Sequence, residues 1–584
     1  MLLEKLCEYA ERLDLPPTMY AKTAIRWLID LDLQGNCYGF VPTEGRGGRR
    51  DRGKVMLAPH ALRTSSAIRA KLLADNGEYV LGVAREQNKP AQVVKCHIDF
   101  VDLVKRCADA TQEPTVKAIS QFLERLPAIA LTLPADFEPG QILTFRVDGT
   151  LPIDLPSVRR FWASTATNAG EDSSEPVPDL MQCLICGEVR HPVKRLPIKI
   201  KRIPGGQPAG MALISANASA FESYGLEASL IAPTCQECGE RFSNAANALI
   251  EDERTHITIG PVVYVFWTKV EDNGFSIASL LSTPEPDTVR ALIRSAFSGH
   301  TAALALDAAP FYATAFSASG ARVVVRDWLD TTVAEVKRHL ARYFALQSIV
   351  DRDGAEGKPF GLSALATSTL PSRIRDPNEI RKELPPNVPH TLLHMALKGG
   401  PLPIGLLFQA VKRSRTEQRV TRSRVALIKM VLLSQRLSLS PEENIMVQLD
   451  AENHNPAYLC GRLLAVLEAV QRAAIPGANA TITDRFFGAA STAPASVFGP
   501  LLRGARSHLS KLRKERRGTF EALERKLEEI QSGLTTFPKI LSLEQQGFFN
   551  LGYYHQRAAD RASAIAYRQA QGRTEEIPES EHSI

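Results

Sequence analysis

Two closely spaced cysteine pairs constrain this chain more than any other feature: Cys183 with Cys186, and Cys235 with Cys238. They stand in the knuckles Cys183-Leu-Ile-Cys186-Gly and Cys235-Gln-Glu-Cys238-Gly. A two-residue gap lets both thiolates of a pair point at one centre. The glycine after each pair permits a tight turn that aims backbone N–H groups at the sulfurs. Two such pairs complete a closed, tetrahedral Zn²⁺ site, which braces a fold and leaves catalysis to other residues. The 48 residues between the pairs make this module larger than a compact zinc ribbon. The alternatives are two disulfides or four free thiols. Nothing in the sequence suggests secretion, which weighs against disulfides.

A length of 584 residues predicts about three to four domains. Hydrophobic residues make up 44% of the chain, enough for packed cores. No apolar run reaches about 18 residues, so no membrane span is expected. The first ten residues carry acids and no small-residue cleavage site, and they read as an amphipathic helix rather than a signal peptide. The expected setting is therefore a reducing cytoplasm. Cys7, Cys37, Cys96, Cys107 and Cys460 are scattered and read as ordinary buried residues. A net charge of +6 says little. Its distribution says more, because basic residues gather in a few short stretches, as in a protein that touches a polyanion at defined places.

Hydrophobic periodicity predicts a helix over residues 1–30, a strand at 78–83 after an Asp75-Asn76-Gly77 turn, helix over 96–127 and a strand at 142–147. A polar stretch at 165–178 reads as a linker. Residues 257–267 form the clearest strand region, followed by helices near 286–297 and 331–347 with a β run at 321–325 between them. Residues 351–390 are rich in Pro, Gly and charge and mark a second boundary. Beyond them the pattern is helical at 403–412, 421–436, 455–473, 495–530 and 543–568. The expected fold is α+β: a mixed N-terminal two-thirds with a zinc-knuckle module, then an all-α helical bundle as the C-terminal third. The expected domains are 1–165, 179–245, 246–350 and 385–570, with a disordered tail at 571–584.

Two catalytic motifs are weighed and rejected. Gly48 to Lys54 matches the first seven positions of a P-loop, but Val55 stands where Ser or Thr must bind Mg²⁺. His390 and His394 lie one helical turn apart without the glutamate that would make a metalloprotease base. A satisfied surface or interface pair is the simpler reading of the two histidines.

The basic stretches point to nucleic acid. Arg46, Arg49, Arg50, Arg52 and Lys54 are interleaved with glycines that let the backbone approach a surface, and Arg63 follows. Arginine forks grip phosphate and read guanine edges. Lys194, Arg195, Lys199, Lys201 and Arg202 form a second group, in which residues 198–203 alternate as on a strand with one charged face. An amphipathic strand with a solvated face is the equal alternative there. In the helical third, Lys412, Arg413, Arg415, Arg419, Arg422 and Arg424 form a third group. Arg415, Arg419 and Arg422 share a face if their helix is continuous. Lys511, Arg513, Lys514, Arg516 and Arg517 form a fourth, with a solvated face as its rival. Two basic helical faces can make a groove for a single strand.

Four blocks taken together are familiar: Ala212-Leu-Ile-Ser-Ala-Asn217 with Ala220-Phe-Glu-Ser-Tyr-Gly225; Gly461-Arg-Leu-Leu-Ala-Val-Leu-Glu-Ala-Val-Gln471; Ala489-Ala-Ser-Thr-Ala-Pro494 with Phe498; and Leu543 to Arg557, ending in Gly-Tyr-Tyr-His-Gln-Arg557. From about residue 60 to 560 the chain resembles the large subunit of the type I-C CRISPR Cascade complex. The resemblance implies a non-catalytic subunit of an RNA-guided DNA surveillance complex that sits at the 5′ end of the guide RNA. Such a subunit senses a short flanking motif in duplex target DNA, helps open the duplex and holds the displaced strand. It works with Cascade backbone and guide-processing subunits and recruits a separate helicase-nuclease. Base pairing reads the long sequence and protein reads only a few flanking base pairs. The resemblance further implies that a small helical subunit is made from an internal start, for which Met446 is the candidate. Under this reading Arg46, Arg49, Arg50, Arg52, Lys54 and Arg63 contact DNA near the flanking motif. Asn76 is a further candidate, its amide suited to adenine, although a turn former is the stronger reading. Lys194, Arg195, Lys199, Lys201 and Arg202 contact the guide or a backbone. Arg415, Arg419, Arg422, Arg424, Lys511, Arg513 and Lys514 hold the displaced strand. Phe221, Tyr224 and Gly225 are expected to pack the module, and Tyr553, Tyr554, His555 and Arg557 to form bundle core and subunit contact. A zinc-braced nucleic-acid-processing enzyme and a general RNA-binding scaffold are the competing classes.

Overall fold

The computed structural model describes residues 2–17, 19–44, 52–61, 68–85, 90–126, 131–167, 180–269, 276–297, 308–435 and 446–570. The chain is α+β, with sheets in the N-terminal part and helices in the C-terminal part. It divides into two compact units, residues 1–202 with 206–248 and 318–324, and residues 203–205 with 249–317 and 325–584.

In the first unit, α1 (Leu2–Ala10) turns Leu6, Cys7 and Ala10 inward. The helix is shorter than the periodicity predicts. Pro16 and Pro17 exclude further helical turns, and the chain continues as β1 (Tyr20–Ile25) and β2 (Trp27–Leu31). Trp27, Ile29 and Leu31 alternate into the core, as a half-buried strand requires. β3 (Cys37–Pro42), β4 (Lys54–Pro59) and β5 (Ala74–Asn76) follow. The expected strand at 78–83 is instead a short helix, α2 (Gly77–Val80). Asn76 caps it, its Oδ1 accepting from Glu78 N and Tyr79 N at 3.1 and 3.3 Å. An N-cap asparagine satisfies first-turn N–H groups that have no partner within the helix, which strand propensity alone does not reveal.

α3 (Pro90–Thr111) and α4 (Pro114–Arg125) precede β6 (Ile142–Val147) and α5 (Pro156–Thr167). β6 pairs in parallel with β2 and lies between it and β5, giving the sheet order β3-β2-β6-β5. β1 and β4 form a separate antiparallel ladder with Ile25 opposite Lys54. Phe145 of β6 meets Phe100 of α3 and Phe122 of α4 at ring distances of 6.4 and 6.3 Å, which places the core between sheet and helices. The unit ends with the hairpin β7 (Met181–Gln182) and β8 (Val189–Arg190), a long irregular stretch, and α6 (Gln236–Glu251).

In the second unit, β9 (His256–Ile259) and β10 (Val262–Thr268) turn at Gly260, whose φ of +58° suits glycine. They extend through β11 (Pro310–Ser319) to β12 (Arg322–Thr332), in the order β12-β11-β10-β9. Helices α7 (Ile277–Ser282), α8 (Pro286–Phe297) and α9 (Val333–Gln347) accompany this sheet. Five helices follow: α10 (Leu362–Thr367), α11 (Pro377–Glu383), α12 (Asn387–Lys398), α13 (Ile404–Glu417) and α14 (Arg422–Ser434). α13 and α14 are separate because Gln418 adopts a left-handed φ of +52°. Sheet and helices share one apolar core.

The last five helices are α15 (Pro456–Ala474), α16 (Ile482–Ala490), α17 (Pro494–Glu515), α18 (Arg517–Ser532) and α19 (Leu543–Ala570). Asn455 caps α15, and Thr481 with Asp484 forms a capping box on α16. Their second core is drawn entirely from residues between Ala457 and Tyr553. α15 and α19 cross in backbone contact. A Cβ on Gly461 would lie 2.1 Å from the Phe549 carbonyl oxygen, and one on Gly552 would lie 2.1 Å from that of Tyr458.

Candidate metal centre and nucleic-acid interface

Both cysteine pairs come together. The sulfurs of Cys183, Cys186, Cys235 and Cys238 all lie within 4.8 Å of one another, with Cys186 and Cys235 at 4.0 Å. A tetrahedral zinc–thiolate site has sulfurs roughly 3.8 Å apart, given Zn–S bonds of about 2.3 Å. The set therefore needs only small side-chain rotations to close on an ion.

The two halves are built differently. The first is a turn: Gly187 N donates to the Cys183 carbonyl at 2.9 Å, and Gly187 has a φ of +75°. The second is a helix start and not the turn knuckle expected from sequence. Cys235 sits just before α6 and Cys238 in its first turn, where free N–H groups and the helix dipole favour thiolates. Gly239 lies close to Pro197 there, where a Cβ would come to 3.3 Å of the proline ring. The Cys235 thiol is raised above the ordinary cysteine range, first by its hydrogen bond with Cys238 and then by burial. A metal ion reverses that order by stabilising the thiolates. All nine cysteines are unpaired, so disulfides do not explain the clustering.

The module is fastened to the N-terminal helix. Arg241 of α6 donates to the Cys7 carbonyl at 3.2 Å and pairs with Glu11 at 2.7 Å, and the Cys7 thiol lies 3.7 Å from the Cys238 carbonyl oxygen. Buried Glu240 accepts from Met19 N at 3.0 Å.

The second basic group follows directly. Residues 198–203 form no named strand. Only Ile200 pairs, with Met211, while Lys199, Lys201 and Arg202 are exposed and Arg202 has a φ of +62°. That backbone angle interrupts the extended geometry that alternation predicts. Arg195 is also exposed, and Lys194 pairs with Glu227. Phe221 and Tyr224 do not pack a core as expected: they are 47% and 99% exposed.

Of the first basic group, Arg46, Arg49, Arg50 and Arg63 lie outside the described residues. Arg52 and Lys54 are exposed at the start of β4. Lys54 opens a strand where a P-loop lysine would open a helix, which removes the nucleotide-binding alternative. Asn76 is buried and spent on capping α2, so its amide is not presented to a base.

The third group divides. Lys412, Arg415 and Arg419 are exposed. Because α13 stops at Glu417, Arg422 does not continue their face. It donates to the Ile349 carbonyl at 3.3 Å and stacks on Phe360 at 4.2 Å. Arg424 is 2% exposed, pairs with Glu417 at 2.8 Å and donates to the carbonyls of Ser368 and Leu370 at 3.1 and 3.2 Å. These two arginines tie helices together, and the sequence spacing had placed them on a surface. In the fourth group Lys511, Arg513 and Lys514 are all exposed, and Lys511 also donates to the Ala474 carbonyl at 2.8 Å. Arg503 and Arg506, which the sequence reading passed over, are exposed on the same helix. Arg506 and Arg513 are seven residues apart and Arg503 and Lys514 eleven, so all four share one face of α17; their spacing was the available signal.

His390 and His394 lie side by side, rings 6.1 Å apart, with His394 held below its usual pKa by burial and then by Lys398. The four cysteines are the metal-ligand cluster found among the described residues. No helix among the described residues is long and apolar enough to cross a membrane.

A four-cysteine cluster of metal-ligand geometry lies in the same α+β part as exposed cations, and the C-terminal part is helical. The family model for the CRISPR-associated protein (Cas_Csd1) matches residues 6–560, and the chain belongs to that family. No curated protein matches it.

Proposed function

We propose that this chain is the large, non-catalytic subunit of a type I-C Cascade surveillance complex. The family match over nearly the whole length carries this reading. In it, the Gly- and Arg-rich stretch that includes Arg49, Arg50, Arg52 and Lys54 senses the flanking motif in duplex DNA. Arg195, Lys199, Lys201 and Arg202 grip the guide or a phosphate backbone. Lys412, Arg415, Arg419, Arg503, Arg506, Arg513 and Lys514 are the exposed helical cations best suited to the displaced strand. The chain joins guide RNA, backbone and guide-processing subunits, and presents the opened target to a separate helicase-nuclease. Zn²⁺ held by Cys183, Cys186, Cys235 and Cys238 supplies a cross-link and no reaction step.

The second core, whose buried residues all fall between 457 and 553, supports a further part of this reading: residues 446–584 are also made separately, from Met446, as a small helical subunit. A C-terminally tagged gene is expected to yield a short product that Met446→Leu abolishes; an unchanged short band rules out this start.

The deciding experiment is reconstitution of the complex with and without the chain, against target DNA carrying a randomised flanking motif. Omission is expected to abolish motif-dependent binding. Arg49→Ala with Arg50→Ala is expected to weaken binding and lower its salt slope by about one to two. Equal target binding without the chain, or metal-dependent cleavage by the purified chain lost on a single acid-to-Ala change, would overturn the proposal.

A further inference from the structure

Between the two cysteine pairs lies a feature that a structural metal does not account for. Ser223, Tyr224, Gly225 and Leu226 form a two-residue turn in which Leu226 N donates to the Ser223 carbonyl at 2.9 Å. The φ angles of +54° at Tyr224 and +70° at Gly225 are those of a type I′ turn. Gly, Asn and Asp normally fill the first central position, because the Cβ of a bulky residue crowds the following carbonyl. Tyr224 occupies it with a side chain 99% exposed. Its backbone is therefore strained without any packing in return. Residues 217–225 are exposed in one unbroken run, and Phe221 within it lies under the Arg322 guanidinium, 3.9 Å from its ring centroid.

The surroundings are cationic. Ser229 N donates to the Lys194 carbonyl at 3.1 Å, and Ile200 and Met211 exchange backbone bonds at 2.9 and 2.8 Å. These contacts anchor the base of the projecting segment in the basic stretch. Residues 194–231 with Arg322 hold six cations and two acids, Glu222 and Glu227, and Glu227 is already paired with Lys194. An exposed ring on a segment whose base is tied to a cationic stretch fits an unpaired base on a phosphodiester strand: the ring meets the π-face while ammonium and guanidinium groups meet phosphate. An apolar pocket on a protein partner would also accept a tyrosine, but it gives the excess of positive charge nothing to do.

We propose that Tyr224, in the same exposed run as the Arg322-capped Phe221, is a stacking platform for an unpaired base of a single nucleic-acid strand. This rests on the function proposed above. A guide RNA and an opened DNA strand offer the same chemistry, so both are tested.

The full-length chain is titrated with short RNA and DNA oligonucleotides carrying a fluorescent adenine analogue. Binding is expected to quench the analogue. Tyr224→Ala is expected to weaken binding about tenfold and relieve the quenching. Its salt slope should not change, because no phosphate contact is lost. Tyr224→Phe should preserve affinity and quenching. Tyr224→Gly should lose both while melting no lower than wild type, which separates lost stacking from misfolding. The oligonucleotide that loses more affinity identifies the strand. Full affinity and quenching in Tyr224→Ala overturns the platform and leaves the proposed function standing. Wild-type chain that binds neither oligonucleotide, in a complex indifferent to its removal, overturns both. Tyr224→Ala that keeps its affinity but fails to assemble with the other subunits assigns the turn to a protein partner and overturns the platform alone.

Discussion

Lys429 shows how much a single side chain can set the pH response of this molecule. It is buried in the larger core of the second unit, where its Nζ donates to the Ser348 carbonyl at 2.6 Å. Burial pushes its ammonium group down to about 7. His555 in the same interior is held neutral, pushed down to about 3 by burial and then by Lys429, while its Nδ1 meets the Tyr458 hydroxyl at 3.0 Å. An unfolded lysine keeps its proton to about pH 10.4. Between about pH 7 and pH 10 the unfolded chain therefore binds more protons than the folded one, and stability from this residue rises with pH through that window. At and below pH 7 the buried charge is at its most costly. Lys429→Met is expected to stabilise the protein at pH 6 by on the order of 2–3 kcal/mol and to flatten the rise toward pH 10, read from denaturant melts at stepped pH. A variant less stable than wild type at pH 6 would sink this account. The convergence of the four cysteines was legible because a two-residue gap admits few geometries, and Tyr553, Tyr554 and His555 are buried as expected. Arg424 was not legible. An arginine inside a helix looks the same in sequence whether it faces water or the carbonyls of a neighbouring turn.

At the scale of elements, the crossing of α15 and α19 depends on two glycines that the sequence marks only as members of familiar blocks. Nothing in a helical periodicity distinguishes a glycine that weakens a helix from one that lets a second helix touch it. Gly461→Ala must push the α19 backbone away and is expected to cost about 3 kcal/mol, read as a lower denaturation midpoint. Gly504→Ala, whose Cβ meets nothing within 4 Å, is expected to be neutral or slightly stabilising and serves as the control. Equal effects at both positions would argue against the close crossing. The cysteine module makes a parallel prediction. Purified chain is expected to release about one Zn²⁺ per molecule on thiol titration, and Cys183→Ser with Cys235→Ser to abolish that release. A metal-free preparation whose melting is unmoved by added Zn²⁺ would count against the site. Element type was legible wherever periodicity ran long, as in β10, α9 and α15. It failed where caps and prolines decide, at residues 11–31 and 77–80.

For the whole molecule, the shift from mixed α+β to all-helical was readable as a change of period along the chain, and the fold follows it. The two cores of the second unit were not readable, because partition of helices between cores depends on contacts that no local pattern records. The smaller core takes all its buried residues from 457–553. A product of residues 446–584 is therefore expected to be helical and to melt cooperatively on its own, as followed by circular dichroism; a non-cooperative melt would show that it needs the preceding helices. A last consequence concerns the four sulfurs, which with a bound ion would fasten a ring whose perimeter includes the 48 residues from Gly187 to Thr234. The aromatic turn rides on that perimeter. Opening the clasp would restore the chain entropy that closure removes. Loss of an ion held there would thus slacken the mount of Tyr224, whereas the arginines of α13 and α17 belong to no such ring, so that metal starvation would blunt one proposed grip on nucleic acid and spare the others.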